Sequence, residues 1–270
     1  MKRRILLIAC CAFLSSMFLH AAAPTVPAGH HALTLPVVGD VEGGGGAHFR
    51  TDVTISNTRE MPQMVRLEWL PRAGEAAPVT KTVTLDRYTI RVFRDFTTDV
   101  LQTTGLGSLR VTALLADGAT LDEGSAIDGF ARIYATVGDG EGTVSQSFSA
   151  VYDSQLVDPN SAVPNVVLMG LRQDADFRTN IGIVNLDSER RHQFYVVLHG
   201  SNGDDTFVVT VEPNSLAQVA LPDGDFGDLT LNIVEHDSPG GYWTAYASTV
   251  DNRSADGWIS QDAHRQFRGD

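Results

Sequence analysis

Phe49-Arg50-Thr51-Asp52-Val53-Thr54-Ile55-Ser56-Asn57 returns later in the chain as Phe177-Arg178-Thr179-Asn180-Ile181-Gly182-Ile183-Val184-Asn185. Two copies so far apart mark a duplicated domain, not the unit of a solenoid. The phrase also alternates. Phe49, Thr51, Val53, Ile55 and Asn57 fall on one face, and Arg50, Asp52, Thr54 and Ser56 on the other, which is the period of a half-buried strand. The face carrying Phe49, Val53 and Ile55, with Phe177, Ile181 and Ile183 in the second copy, is expected to be core.

Working outward, each copy sits near the front of a series of short strands with turn signals between them. Residues 33–38 read as a first strand, which Pro36 places at a sheet edge. Val65, Leu67 and Trp69 alternate with Arg66 and Glu68, and Phe194, Val196 and Leu198 repeat that face. Residues 79–85, 88–93 and 109–114 follow as strands. Residues 130–137 and 143–151 form a hairpin across Gly138-Asp139-Gly140. One short helix is expected at 95–102, with Asp95 as its N-cap and Gly105 beyond its end. The second half replaces it with the tight connection Pro222-Asp223-Gly224-Asp225. Differences that fall between conserved-length strands are those of a scaffold with variable loops. The fold class is therefore all-β: two tandem immunoglobulin-like β-sandwich domains related by internal duplication, preceded by a signal peptide. The cysteine–tryptophan–cysteine mark of true immunoglobulin domains is absent, so the likeness is one of architecture. The expected divisions are 1–23 signal peptide, 32–152 first sandwich, 153–164 linker, 165–262 second sandwich and 263–270 tail.

The leader rests on a basic start (Lys2, Arg3, Arg4), an apolar run over 5–19 and a small-residue exit at Ala21-Ala22-Ala23. That run is too short and too near the N-terminus for a permanent span, so no transmembrane segment is expected in the mature chain. A rival reading takes Leu7-Ile8-Ala9-Cys10 as a lipobox, with lipid anchoring at Cys10. Cys10 and Cys11 are the only cysteines. A mature chain without them has no disulfide, no thiolate nucleophile and no cysteine metal site. The address is export, to the periplasm or beyond the cell. The formal net charge of −13 excludes phosphate backbones, and with them nucleic acid, as natural partners.

Three segments together carry a resemblance: residues 49–57, the strand Gly107-Ser108-Leu109-Arg110-Val111, and residues 245–253 with their Ala-Tyr-Ala-Ser-x-Val-Asp-Asn-Arg pattern. They are similar to a tandem immunoglobulin-like β-sandwich repeat of exported bacterial proteins of unassigned function. The first copy departs at its end, where Tyr134-Ala135-Thr136-Val137 runs on without the Asn-Arg pair. The resemblance implies a sandwich and export. It implies no reaction and no functional residue.

Several residues are candidates for a site. Asn57 and Asn185 read as Asx-type anchors at strand ends before they read as ligand contacts. Arg50 with Asp52, and Arg178 with Asn180, read as partners for neighbouring loops. Asp223, Asp225 and Asp228 crowd carboxylates in one loop and are a calcium candidate, although the full EF-hand spacing is missing. Trp243 and Trp258 are candidates for a carbohydrate platform, whereas Trp69 continues a core face. His48, His192, His199 and His236 lack metal-ligand spacing. No nucleophile elbow or HExxH motif occurs. Arg268-Gly269-Asp270 matches an integrin-binding tripeptide by three residues alone. The leading expectation is a non-catalytic exported structural or binding protein with an unassigned protein or glycan partner. The alternatives are a carbohydrate- or calcium-dependent binding module and, further off, an enzyme with a site between the domains.

Overall fold

The computed structural model describes residues 31–43, 47–137, 142–158, 165–236 and 241–261. The leader, Cys10, the 159–164 part of the linker and the 268–270 tripeptide lie outside them. The described chain is almost entirely antiparallel β-structure, and no helix is long and apolar enough to cross a membrane.

The first half comprises β1 (Ala32–Glu42), β2 (His48–Asn57), β3 (Gln63–Pro71), β4 (Val79–Leu85), β5 (Thr89–Phe93), β6 (Gly105–Leu114), β7 (Ile127–Val137), β8 (Gly142–Ser149) and the short β9 (Val151–Tyr152). The second comprises β10 (Asn165–Gln173), β11 (Phe177–Asn185), β12 (His192–Gly200), β13 (Gly203–Val211), β14 (Ser215–Ala220), β15 (Gly227–Glu235), β16 (Trp243–Asp251) and β17 (Gly257–Gln261). In the second half one sheet runs β10-β15-β12-β13 and the other β14-β11-β16-β17. The first half has the matching orders β1-β6-β3-β4 and β5-β2-β7-β8, with β1 long enough to join both layers. Its early residues pair with β6, and Val41 and Glu42 pair with β2.

The inward positions of the two layers meet in a sandwich core. Val53, Ile55, Val65, Leu67, Trp69, Leu109 and Val111 are fully buried in the first half, as are Ile181, Ile183, Phe194, Val196, Leu198 and Leu231 in the second. Truncating a side chain as large as Trp69 in such a core typically costs about 3–5 kcal/mol. Its indole donates from Nε1 to the Val38 carbonyl at 3.3 Å, so the polar atom is not stranded. Gly107 leaves room for this ring, because a Cβ there would lie 2.7 Å from Nε1.

Three expectations are corrected. Pro36 does not mark an edge strand. β1 is paired along one side with β6 and along the other with β9 and β2, and Pro36 sits in the irregularity between Leu35 and Val38 where the ladder is interrupted. β10 carries the matching irregularity between Leu168 and Leu171. Asp95 precedes one wide helical turn, Phe96–Leu101, but does not cap it. It adopts a left-handed conformation (φ 40°), and its carboxylate accepts instead from the Tyr134 hydroxyl at 2.6 Å. Phe49 and Phe177 are only half-buried, unlike the Val, Ile and Thr that follow them. Both lie at the beginnings of their strands. Phe177 is covered by the Arg172 guanidinium 4.4 Å above its ring and by the edge of Trp258.

Candidate functional site

The strand ends reveal what the repeated asparagines do. Asn57 donates from Nδ2 to the carbonyls of Met61 (2.8 Å) and Asp86 (3.0 Å), while its Oδ1 accepts from Arg59 N. Asn185 donates to Arg190, Val211 and Glu212 carbonyls and accepts from Asp187 N. Each ties the strand end to two loops and is structural. Thr51 and Thr179 likewise bridge to β1 and β10, through Gly39 and Arg172.

The outward faces of the two signature strands have different fates. Asp52 is buried beneath Arg94, accepts from its guanidinium and from Asp95 N, and is closed to solvent. Arg50 lies over the Tyr134 ring and reaches Asp95. Burial, reinforced by the Asp95 hydrogen bond, pushes Tyr134 up to about 12. In the second half the same face of β11 is turned onto the first half. Val184, Leu216 and Tyr246 are fully buried in one cluster with Leu33, Leu106 and Phe148. Phe148 and Tyr246 meet edge to face with centroids 5.1 Å apart. Beside them β8 is clasped by both β16 and β17. Ser248 donates to Gln146 Oε1 at 2.7 Å, and the Gln261 amide bonds both the N–H (3.0 Å) and the carbonyl (3.1 Å) of Ser149.

Where this joint is imperfectly filled, a cavity of about 360 Å³ opens between the halves. Its apolar wall is formed by Val37, Phe49, Leu106 and Phe148, and its polar wall by Arg178, Asn180, Gln218 and Tyr246. Tyr246 is wholly buried, yet its hydroxyl has no hydrogen-bond partner among the described residues. Burial raises its pKa, with Arg72 pulling weakly the other way, so the phenol stays protonated as a donor. A stranded buried hydroxyl costs about 1–3 kcal/mol. The cavity has the size of a small-ligand site, a few hundred Å³.

The other sequence candidates are dispersed. Trp243 is buried against Phe194, centroids 4.7 Å apart, and offers no open face. Trp258 is 39% exposed but donates to the Gly170 carbonyl and stands on Phe177, so the two tryptophans do not form one platform. Asp225 is held by Asn202, while Asp228 lies in a shallow groove with Arg172, His199 and Trp258. Among the described residues no three His, Cys, Asp or Glu gather as metal ligands, so the Asp223, Asp225 and Asp228 trio does not converge. Sequence spacing missed one group. His192 is buried between Glu235 on Nδ1 and Asp187 at 3.2 Å from Nε2. It lines none of the described cavities. Its two partners are Asp187, 5 residues before it, and Glu235 on β15, 43 residues beyond, a pairing that no local motif could have revealed. His48 pairs with Asp40 at the surface, His199 faces Asp204, and His236 stacks on Tyr195.

No protein-family model matches the chain, and no curated protein matches it. A solved structure described as "Crystal Structure of Thermotoga maritima 1070" aligns over 46% of this chain and 96% of its own, at 12% identity and a TM-score of 0.35. At that score the likeness is too slight to inform fold family or function.

Proposed function

We propose that this chain is a non-catalytic exported binding protein whose two immunoglobulin-like sandwiches arose by internal duplication and hold a small, neutral, hydroxyl-rich ligand between them. Matching strand orders, matching irregularities in β1 and β10 and matching Asn57 and Asn185 anchors support the duplication. The basic, apolar and small-residue segments of 1–23 support export.

The observation that carries the binding reading is the Tyr246 hydroxyl, buried and unpartnered beside a cavity. Near it the amides of Asn180 and Gln218 supply donors and acceptors, and Arg178 adds a further donor. Phe49 and Leu106 offer an apolar wall opposite. A sugar has this same division, hydroxyls at its edge and C–H groups on its face. A net charge of −13 disfavours an anionic ligand. The buried His192, remote from the cavity, gives no support to a catalytic role.

Titration calorimetry of the mature chain against neutral mono- and disaccharides tests this. Binding is expected in the wild type and is expected to weaken in Asn180→Ala and Gln218→Ala. Absence of binding across the panel, or binding indifferent to both substitutions, would sink the reading.

A further inference from the structure

The strand registers place each residue of one half against a counterpart in the other. Gly182 faces Gln218 and Tyr246 across the sheet, and Val184 faces Leu216. In the first half Thr54 faces Val92 and Phe130, and Ser56 faces Ile90. Ile90 is therefore the counterpart of Leu216, Val92 of Gln218, and Phe130 of Tyr246. Leu216 and Tyr246 are fully buried because the first half covers them. Their counterparts have no such cover: Ile90 is 72% exposed, Val92 47% and Phe130 39%, with Tyr88 beside them at 68%. An apolar sheet face of this kind is ordinarily an interaction surface.

The covering surface also has a free counterpart. In the first half it includes the irregular stretch of β1, where Pro36 and Val37 are buried, and Gln146 and Phe148 of β8. In the second half the corresponding stretch of β10 leaves Met169 67% exposed. Trp258 stands at the place of Gln146, as the pairings Thr249 with Trp258 and Ile133 with Gln146 show.

We propose that copies of this chain associate head to tail, the Ile90–Val92–Phe130 face of one molecule seating on the Met169–Trp258 surface of the next. The contact would repeat between molecules the packing already present between the halves. It joins unlike surfaces and is therefore heterologous, extending into a chain or closing into a ring. It does not depend on the ligand reading above.

Sedimentation velocity on the full mature chain over micromolar concentrations tests it. Wild type should associate with rising concentration. Ile90→Asp and Met169→Asp, both at exposed positions and checked for unchanged circular dichroism, should each weaken it by about tenfold or more, as loss of an interface anchor does. Mixed together they should form a dimer, because each retains the surface that the other has lost. Monomeric wild type overturns the proposal, as does a mixture that stays monomeric. Undiminished association of Met169→Asp also overturns it, since that outcome belongs to β5 edges pairing symmetrically.

Discussion

The ring of Tyr246 lies directly across the backbone of Gly182, so that a Cβ on Gly182 would fall 2.1 Å from its Cε1. The two residues are paired neighbours on β16 and β11, and both belong to the joint between the halves. Gly182→Ala is expected to push the ring off the strand and against Phe148. Overpacking of this kind costs about 1–3 kcal/mol. Urea unfolding should show the loss, and Thr54→Ala at the matching half-buried site of the first half should show far less.

Tyr246→Phe should separate folding from binding. Removing a buried hydroxyl that has no partner relieves its desolvation, so the ligand-free protein should be as stable as wild type or more so. Saccharide affinity should fall by about tenfold, the worth of one neutral hydrogen bond of about 1.4 kcal/mol. Thermal melting with and without sugar reads both effects.

The two anchoring asparagines should behave as a matched pair. Asn57→Ala and Asn185→Ala each strand loop carbonyls, at about 1–3 kcal/mol. The second should cost more, since Asn185 serves three carbonyls and Asn57 two. Equilibrium denaturation of the double variant should give the sum, because the sites share no partner.

Much of this architecture was legible in alternation alone. Val53 and Ile55, Val65 and Leu67, Ile181 and Ile183 declare their faces by spacing, and the repeat of Phe-Arg-Thr declares the second half. The wide helical turn before β6 was legible too, though not the role of Asp95, whose carboxylate turns to Tyr134 from a distant strand. The cavity was not legible. Arg178 and Asn180 carry the same signal as Arg50 and Asp52, yet one pair lines the joint, while of the other Asp52 is sealed by Arg94 and Arg50 turns to Tyr134 and Asp95. That choice is made by how the halves pack, and strand periodicity carries no information about it. Trp243 and Trp258 look alike in sequence for the same reason, and only layer packing separates the buried ring from the exposed one.

Acid should act through Asp187. Burial is the largest influence on this carboxyl and pushes its pKa up, but hydrogen bonds from Glu189 N, His192, Arg190 N and the Arg190 side chain together outweigh it and hold the value at about 2. A pKa depressed on folding contributes stability above the unfolded value, near 4, and loses it as pH falls toward the folded one. Unfolding free energy should therefore decline between about pH 4 and 2 in wild type. In Asp187→Asn that decline should be shallower, with lower stability at neutral pH. Denaturant titrations at stepped pH check both.

The clasp of Gln261 on Ser149 has a consequence in time. Gln261 lies at the far end of β17, more than a hundred residues beyond its partner. The first half, synthesised first, must wait with Phe148 uncovered until Tyr246 of β16, and then β17, arrive. Contacts so distant in sequence form late. During that wait the molecule resembles a hinge without its pin, and the final strand supplies the pin.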